Sequence, residues 1–321
     1  MPTKYWQPLQ TGDVVQIIAP SSKPLNPEQG CEKIRKLLRS WKLEPLISNK
    51  IFGTAPGLPE LANSDDKRFA DLRDAILNPE VKAIWCLRGG YGTIRLLPYL
   101  QDYFHKAPQV KLFIGYSDIT LLHHYFQQQW KWSTVHAAGA LQVAENRVAK
   151  ADSMILRRLI FGQTSATTIQ DLVPLNATAH SQGTVRSTLM GGNLTLINRM
   201  LGTPYTFQVK NKILVLEDID EPFRKIDGIL QQLKLAGYWT AKQKPAAIIL
   251  GDFSIKQPLQ QQEVNTSLEQ FAQELDIYRI PVLRCIAIGH GAHNHPLPLA
   301  TKTTLTLGKK PLLIAQSGCR N

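Results

Sequence analysis

Residues 81–92, VKAIWCLRGGYG, join an apolar run to a turn that contains three glycines. An apolar run that ends at such a turn is typical of a strand buried on both faces of a sheet. Residues 111–114 form a second run of this kind, and residues 115–117, GYS, turn it into a helical pattern predicted over residues 118–129. Because strands alternate with helices in the first half of the chain, we predict an α/β domain with a mostly parallel, doubly wound sheet.

The rest of the chain extends this pattern and then changes it. Residues 13–19 are predicted as a strand, residues 34–41 carry an apolar stripe with helical spacing, and residues 64–76 read as a capped helix. The second half has more isolated strands, separated in places by helices, and we predict an α+β or mixed-barrel domain there. Its strands are predicted at residues 212–217, 246–250 and 281–288, and its helices near residues 193–200 and 223–235.

Two domains are expected from the length of 321 residues, because single cores stop growing near ~250–300 residues. The pattern loosens after about Lys150, and residues 162–168 are polar and weakly periodic. We therefore predict an N-terminal domain over residues 1–160, a linker over residues 161–182 and a C-terminal domain over residues 183–321.

The composition is that of a globular chain with a basic lean. Lys and Arg number 37 against 25 Asp and Glu, which gives a formal charge of +12, and 43% of the residues are hydrophobic. These values exclude a disordered chain. The apolar runs fall far short of the ~20 residues of a membrane span, and the first ten residues lack the apolar core of a secretory signal. The four cysteines show neither CxxC pairing nor metal spacing. We expect a cytoplasmic chain with reduced thiols and no membrane partner.

Ser117 stands where an apolar strand turns into a helix. A serine on a sharp turn of this kind exposes its hydroxyl, and the following backbone N–H, that of Asp118, lies at a helix N-terminus, where negative charge is stabilised. Ser117 is therefore a candidate nucleophile. The alternative is that Ser117 is an ordinary helix N-cap, and the G-x-S-x-G pattern is incomplete because Ile119 takes the place of the second glycine.

The loop of residues 88–92, RGGYG, also follows a strand directly. Its glycines allow backbone N–H groups to approach a ligand closely, so the loop could complete an oxyanion hole or hold a phosphate. It lacks the spacing of a nucleotide-binding loop. The structural alternative is a tight turn that needs positive φ angles.

Glu217 and His290 end two predicted strands of the second half. A hydroxyl nucleophile needs a base, and the base needs an acidic partner that fixes its tautomer, so Ser117, Glu217 and His290 could form a catalytic set. A metal site competes with this interpretation, since Asp218 and His293 add further ligand types. No recognised metal spacing is present, however.

Five short motifs together are more specific than any single window. They occur in the order LRGGYG (87–92), IGYSDIT (114–120), MGGNL (190–194), LEDIDEP (216–222) and IGHG (288–291). This series resembles the LD-carboxypeptidase family of serine peptidases, which includes the microcin-immunity peptidases. The resemblance extends from Gly12 to about Thr304. It departs at residues 135–138, VHAA, where relatives often have H-G-P.

The resemblance implies a fold and a set of site residues. Members of the family pair an N-terminal Rossmann-like domain, similar to flavodoxin and glutamine amidotransferases, with a C-terminal β-rich, barrel-like domain. Ser117 matches the family's nucleophile, Glu217 its acid and His290 its base. The oxyanion hole then consists of the Asp118 N–H and an N–H of the glycine loop. For that second donor we expect Gly89 or Gly90.

The resemblance also implies a substrate and partners. The expected substrate is a cytoplasmic murein tetrapeptide, free or linked to a sugar or nucleotide, from which a terminal D-alanine is removed during peptidoglycan recycling. Arg88 and Arg224 are candidates to bind its carboxylates, because a guanidinium can pair a carboxylate through two parallel hydrogen bonds. Members of the family are commonly homodimers, and we expect a homodimer here. No cofactor and no metal are expected.

Three other functions remain open from the sequence. The first is a microcin-immunity-type peptidase that cleaves a peptide–nucleotide conjugate. The second is a metal-dependent hydrolase that uses Glu217, Asp218, His290 and His293. The third is a non-catalytic protein that binds a small molecule or nucleic acid. No nucleic-acid motif accompanies the basic residues, so we expect no nucleic-acid partner. If the triad is right, its residues come from both domains, and the site is expected at their junction.

Overall fold

The computed structural model describes residues 2–48 and 51–319. The strands of this part of the chain are β1 (Val14–Ile18), β2 (Glu44–Ile47), β3 (Val81–Cys86), β4 (Leu112–Gly115), β5 (Thr134–His136), β6 (Ala166–Ile169), β7 (Val173–Pro174), β8 (Gly183–Asn193), β9 (Ile213–Ile219), β10 (Ala247–Ser254), β11 (Val282–Arg284), β12 (Leu297–Leu299), β13 (Lys302–Leu307) and β14 (Leu312–Gln316). Its α-helices are α1 (Pro27–Ser40), α2 (Asp65–Leu77), α3 (Leu97–Tyr103), α4 (Thr120–Tyr125), α5 (Ala140–Ala144), α6 (Lys150–Ile160), α7 (Ala177–His180), α8 (Leu194–Arg199), α9 (Phe223–Leu235) and α10 (Pro258–Glu274).

The first of two compact units contains the described residues of Met1–Ser165, Pro296–Ala300 and Ser317–Asn321. Its sheet has the strand order β12-β5-β4-β3-β1-β2. All neighbours in this sheet are parallel except β12, which runs antiparallel to β5. Connections between parallel strands require crossovers, and α1 and α2 supply two of them. The predicted α/β domain with a mostly parallel sheet is confirmed.

The apolar stripe of α1 packs on this sheet, as its spacing predicts. Ile34 and Leu38 are fully buried, and the Trp41 ring at the end of the helix stacks on Trp85 of β3 at 5.7 Å between ring centroids. Trp85 is fully buried in turn, and its indole N–H donates to the Ala138 carbonyl oxygen at 3.0 Å. The tryptophan thus joins β3 to the segment after β5, which holds the centre of the sheet in place.

The helix predicted over residues 118–129 differs in detail from the observed one. It begins as a 3₁₀ turn (Ser117–Ile119), continues as α4 and ends as a π-helical turn (Phe126–Trp130). In the π-helical turn the Phe126 and Trp130 rings stack at 4.6 Å with an angle of 9° between their planes. This local packing of two rings four residues apart accompanies the wider final turn.

The second unit contains Ala166–His295 and Thr301–Gln316. Its mixed sheet has the order β6-β14-β13-β8-β9-β10-β11-β7, in which β8 to β11 are parallel and the outer strands antiparallel. The predicted β-rich second half is confirmed. Residues 161–182, which were expected to be a linker, contain β6, β7 and α7. In β6 the buried Thr167 and Ile169 alternate with more exposed residues, which is the pattern of a half-buried strand.

In the second unit one predicted helix has the observed bounds, and one predicted strand is longer than the observed strand. Helix α9 has the predicted bounds, Phe223–Leu235, because its buried face repeats with clear helical spacing. The strand predicted over residues 281–288 is shorter, since β11 ends at Arg284. Beyond it the chain turns, and the Ile288 N–H donates to the Cys285 carbonyl oxygen at 3.3 Å. Within the described residues, no helix combines the length and the apolar character that crossing a membrane requires.

Candidate active site

Ser117 lies on a sharp turn at the carboxyl end of β4. Tyr116 is still extended, but Ser117 has a φ of 63°, in the left-handed region that residues other than glycine rarely adopt. An N-cap residue has an extended backbone instead, so the N-cap alternative does not describe Ser117. Strained residues of this kind cluster at functional sites, where the surrounding structure enforces them. The turn leaves the Ser117 side chain half-buried at the edge of the sheet.

The glycine loop after β3 lies beside this turn, because β3 and β4 are neighbouring parallel strands. A Cβ atom on Gly89 would lie 2.6 Å from Ser117 Cβ, 2.8 Å from Ser117 Oγ and 3.3 Å from the Asp118 backbone nitrogen. A Cβ atom on Gly90 would instead collide with the Ser22 side chain. Of the two glycines predicted as oxyanion-hole donors, Gly89 is therefore the one in contact with both the Ser117 hydroxyl and the Asp118 amide.

Gly89→Ala is expected to lower kcat by at least about 10²–10³-fold, because a methyl group at this position forces the Ser117 hydroxyl and the Asp118 N–H out of place. The added methyl group would occupy the place of the Ser117 hydroxyl, whereas the Gly89 backbone, whose φ is not in the left-handed region, would accept alanine. Steady-state kinetics together with a thermal melt would measure this. Gly228→Ala in α9, where a Cβ atom meets nothing within 4 Å, is the control. Equal kcat values for both variants would contradict the prediction.

The Asp118 side chain ties the Ser117 turn to its neighbours. Its Oδ2 accepts hydrogen bonds from Ser21 Oγ at 2.7 Å and from the Thr93 N–H at 2.9 Å. Its backbone carbonyl oxygen accepts a further one from Thr93 Oγ1 at 2.6 Å. Ser21 follows β1 and Thr93 follows the glycine loop, so one buried carboxylate holds three strand ends together.

Arg68 is a second supporting residue, and no sequence motif points to it. Its side chain is fully buried, and the guanidinium donates to the carbonyl oxygens of Pro20 and Gly92 and pairs with Asp65. Burial lowers the pKa of Arg68, and the Asp65 carboxylate opposes that effect. An arginine within a predicted helix gives no signal of such a role. Only the position of the helix next to the glycine loop shows that Arg68 braces it.

In the second unit, Glu217 and His290 form a hydrogen-bonded pair. His290 Nδ1 and Glu217 Oε2 are 2.6 Å apart, the Glu217 side chain is fully buried, and 9% of the His290 side chain is exposed. Burial, the largest single influence, lowers the pKa of His290, but the charge and hydrogen bond of Glu217 together with the charges of neighbouring carboxylates outweigh it, so this pKa is raised above its usual 6.5. A carboxylate on Nδ1 leaves Nε2 as the ring nitrogen that can exchange a proton with a reacting group.

Neighbouring strands explain why the LEDIDEP and MGGNL motifs occur together. Asn193 at the end of β8 lies opposite Glu217 in the parallel pairing with β9. The Asn193 side chain donates to Asp218 Oδ1 at 2.8 Å, and the Thr195 N–H donates to Oδ2 at 2.9 Å. Burial and the adjacent Glu217 raise the pKa of Asp218 to about 6. Asp218 therefore anchors the start of α8 beside the pair.

The remaining sequence candidates differ in their surroundings. Arg88 is half-buried and its Nη1 donates to the Lys23 carbonyl oxygen at 3.3 Å. Arg224, in the first turn of α9, and His293 are exposed. His290 was expected to end a strand, but five residues separate it from the end of β11 at Arg284. In residues 2–48 and 51–319, no group of three or more His, Cys, Asp or Glu side chains is arranged to hold a metal ion.

Two of the relatives found by comparison with known proteins are named for an activity on murein peptides. A Bacillus subtilis protein named "Probable murein peptide carboxypeptidase" is 33% identical over 308 residues, which cover 95% of this chain and 92% of the relative. The murein tetrapeptide carboxypeptidase of Pseudomonas aeruginosa is 31% identical over 260 residues, 78% of this chain and 80% of the relative.

A solved structure shares the fold at lower sequence identity. The crystal structure of an MccF-like protein from Bacillus anthracis superposes with a TM-score of 0.79 at 20% identity, covering 97% of this chain and 99% of that one. The family model of the LD-carboxypeptidase N-terminal domain matches residues 15–137, and that of the C-terminal domain matches residues 186–305. The expected family is confirmed: the chain belongs to the LD-carboxypeptidases, a family of serine peptidases.

Proposed function

We propose that the chain hydrolyses the amide between an L-configured centre and a terminal D-amino acid, with Ser117, Glu217 and His290 as its triad. The observation that carries the proposal is the 2.6 Å contact between His290 Nδ1 and buried Glu217, which fixes the imidazole for base catalysis. The strained turn that presents the Ser117 hydroxyl supports it from the other unit. Family membership supplies the reaction class.

In the proposed reaction, His290 Nε2 takes the proton of Ser117 as Oγ attacks the amide carbonyl carbon. Glu217 stabilises the imidazolium that forms. The Asp118 N–H and an N–H of the glycine loop at Gly89 bind the tetrahedral oxyanion. The imidazolium then protonates the leaving nitrogen, the C–N bond breaks, and D-alanine departs. Water hydrolyses the resulting ester of Ser117 by the same steps.

The proposed substrate is a murein tetrapeptide, free or linked to a sugar or nucleotide, in cytoplasmic peptidoglycan recycling. The names of the Bacillus and Pseudomonas relatives support a murein peptide. Such peptides carry several carboxylates, and a net charge of +12 raises the local concentration of an anionic substrate. We propose that the protein acts as a homodimer without a cofactor.

The test is incubation of the chain with a murein tetrapeptide and, separately, with a nucleotide-linked peptide, followed by mass spectrometry. Loss of one alanine from the tetrapeptide is the expected result. An unchanged tetrapeptide would overturn the proposal. Cleavage of the nucleotide conjugate alone would instead favour the microcin-immunity type of activity, which the motifs do not separate from the first.

Arg88→Ala is expected to raise KM for the tetrapeptide by about tenfold with little change in kcat. The guanidinium stands next to the glycine loop, and a charge-assisted hydrogen bond to a substrate carboxylate contributes about 1.5–3 kcal/mol. Arg224→Ala, at the start of α9, is the second variant to measure. Arg95→Ala is the control, since Arg95 is paired with Asp65 on the surface. Unchanged kinetics in Arg88→Ala and Arg224→Ala would remove both arginines from the substrate site.

A further inference from the structure

A third carboxylate, that of Asp252, lies against the loop that carries His290. Asp252 belongs to β10, the neighbour of β9 in the sheet, and it is 8% exposed. Its backbone N–H donates to the Ile288 carbonyl oxygen at 2.6 Å. Asp252 belongs to none of the five sequence motifs, and it takes no part in the proposed reaction.

The strand is irregular at this point. Leu250 of β10 lies opposite Leu216 of β9, but the next paired residue, Phe253, lies opposite Asp218. Two residues of β10, Gly251 and Asp252, therefore face the single residue Glu217. A bulge of this kind re-aims a side chain and is common next to active sites.

The glycines on either side of His290 are explained by this carboxylate. A Cβ atom on Gly289, whose φ is 135°, would lie 3.0 Å from Asp252 Cβ and 3.3 Å from Glu217 Cβ. A Cβ atom on Gly291 would lie 2.9 Å from Asp252 Oδ2. The turn of residues 289–291 thus rests on Asp252, and the glycines of the G-H-G motif allow that close approach.

One oxygen of Asp252 has no donor. Ser254 Oγ donates to Oδ1, whereas Oδ2 is buried and accepts no hydrogen bond from the residues that the structure describes. A buried carboxylate oxygen without a donor costs free energy unless a nearby positive charge compensates it. His290 is the group beside it that gains such a charge during the reaction.

We propose that Asp252 is a positioning residue for His290: its carboxylate seats the turn of residues 289–291 and supplies a further negative charge to the imidazolium. This inference rests on the proposed function, in which His290 takes the proton of Ser117. Glu217 holds the ring by direct contact, whereas Asp252 acts through the backbone of the turn and through space. The other charged groups around His290 are Asp218 and Asp220 on the β9 side, and its own loop carries His293 and His295.

The first test is Asp252→Asn, which keeps the shape of the side chain and removes its charge. Without that charge the imidazolium is less stable, so the acid limb of the kcat/KM profile moves to lower pH. The plateau falls by about tenfold, less than the loss of a group that touches the transition state would cost. Asp276→Asn is the control, because Asp276 is bound by Ala177 and Thr178. An acid limb at the same pH in Asp252→Asn and wild type would overturn the proposal.

The same inference is tested without turnover by NMR titration of the His290 ring protons in the Ser117→Ala background. The titration midpoint is expected at lower pH when Asp252→Asn is added. An unchanged midpoint contradicts the role of Asp252 even where the triad is correct. If the proposed function is wrong, the result is different: the wild-type protein leaves the murein tetrapeptide uncleaved.

Gly291→Ala decides the question if Asp252→Asn does not fold. The φ of Gly291 lies outside the left-handed region, so its backbone accepts alanine. The new methyl group must, however, displace Asp252 Oδ2. We expect it to move the acid limb in the same direction and to lower kcat, whereas Gly228→Ala leaves both unchanged. Wild-type kinetics and pH profile in Gly291→Ala would overturn the proposal.

Discussion

Ser117→Ala is expected to lower kcat by at least about 10⁴-fold, because no other group supplies the attacking oxygen. Ser117→Gly is expected to be equally inactive but more stable than wild type by about 1 kcal/mol. Glycine adopts a φ of 63° without the steric cost that serine and alanine have in this region. Activity assays and denaturant unfolding of the three proteins measure the two effects separately.

Ser133→Ala is the matched control for the loss of a hydroxyl in the first unit. Ser133 is buried and donates to the Gly318 carbonyl oxygen at 3.0 Å, so its loss affects stability. The Ser133→Ala variant should retain the kcat of the wild type. Normal turnover in Ser117→Ala would refute the nucleophile, and a Ser117→Gly variant no more stable than wild type would refute the strain at this turn.

Glu217→Gln is expected to lower kcat by about 10⁴-fold while keeping the shape of the side chain. An amide on His290 Nδ1 neither fixes the productive tautomer nor stabilises the imidazolium. The pKa of His290, which Glu217 and neighbouring carboxylates raise in wild type against the effect of burial, falls in the variant. The acid limb of the residual activity therefore moves to lower pH, which a pH–rate profile measures.

The raised pKa also makes stability depend on pH. His290 contributes stability fully below its usual pKa of 6.5, and this contribution is lost as the pH rises through the higher folded-state value. Glu217→Gln should weaken this loss, which thermal melts across the neutral range would show. The variant Ser117→Ala/Glu217→Gln should be no slower than Ser117→Ala, since members of a triad act as a unit. A further large drop in the double variant would contradict that coupling.

The fold and the strand ends that carry the site motifs can be predicted from the sequence, because apolar runs and glycine turns are local signals. The turn at Ser117 is visible as a strand followed by a helix, but its positive φ is not. Arg68 and Asp252 escape prediction for a related reason. Each looks like an ordinary residue of a helix or a strand, and its role depends on a partner far along the chain. Arg68 bonds to Gly92, and Asp252 lies under Gly291.

The limits of two predicted elements have physical causes as well. Apolar residues continue past Arg284 to Ile288, so the sequence extends β11 through residues that form a turn. The polar stretch at residues 162–168 indicates a linker. Yet Ala166–Ile169 forms a strand that pairs with β14, close to the other end of the second unit, where Leu313 lies opposite Ile169. Pairing over such a separation leaves little trace in a short window of sequence.

The returning segments of the first unit have a consequence for how this chain can be divided. Residues 296–300 and 317–319 belong to the unit that residues 2–165 begin, so the chain passes between the units four times. A fragment cut at Ser165 would lack β12 and leave β5 as an open sheet edge, a known route to aggregation. The two halves are therefore not interchangeable modules. A single recombination crossover between β5 and β12 would bring these two paired strands from different parent chains.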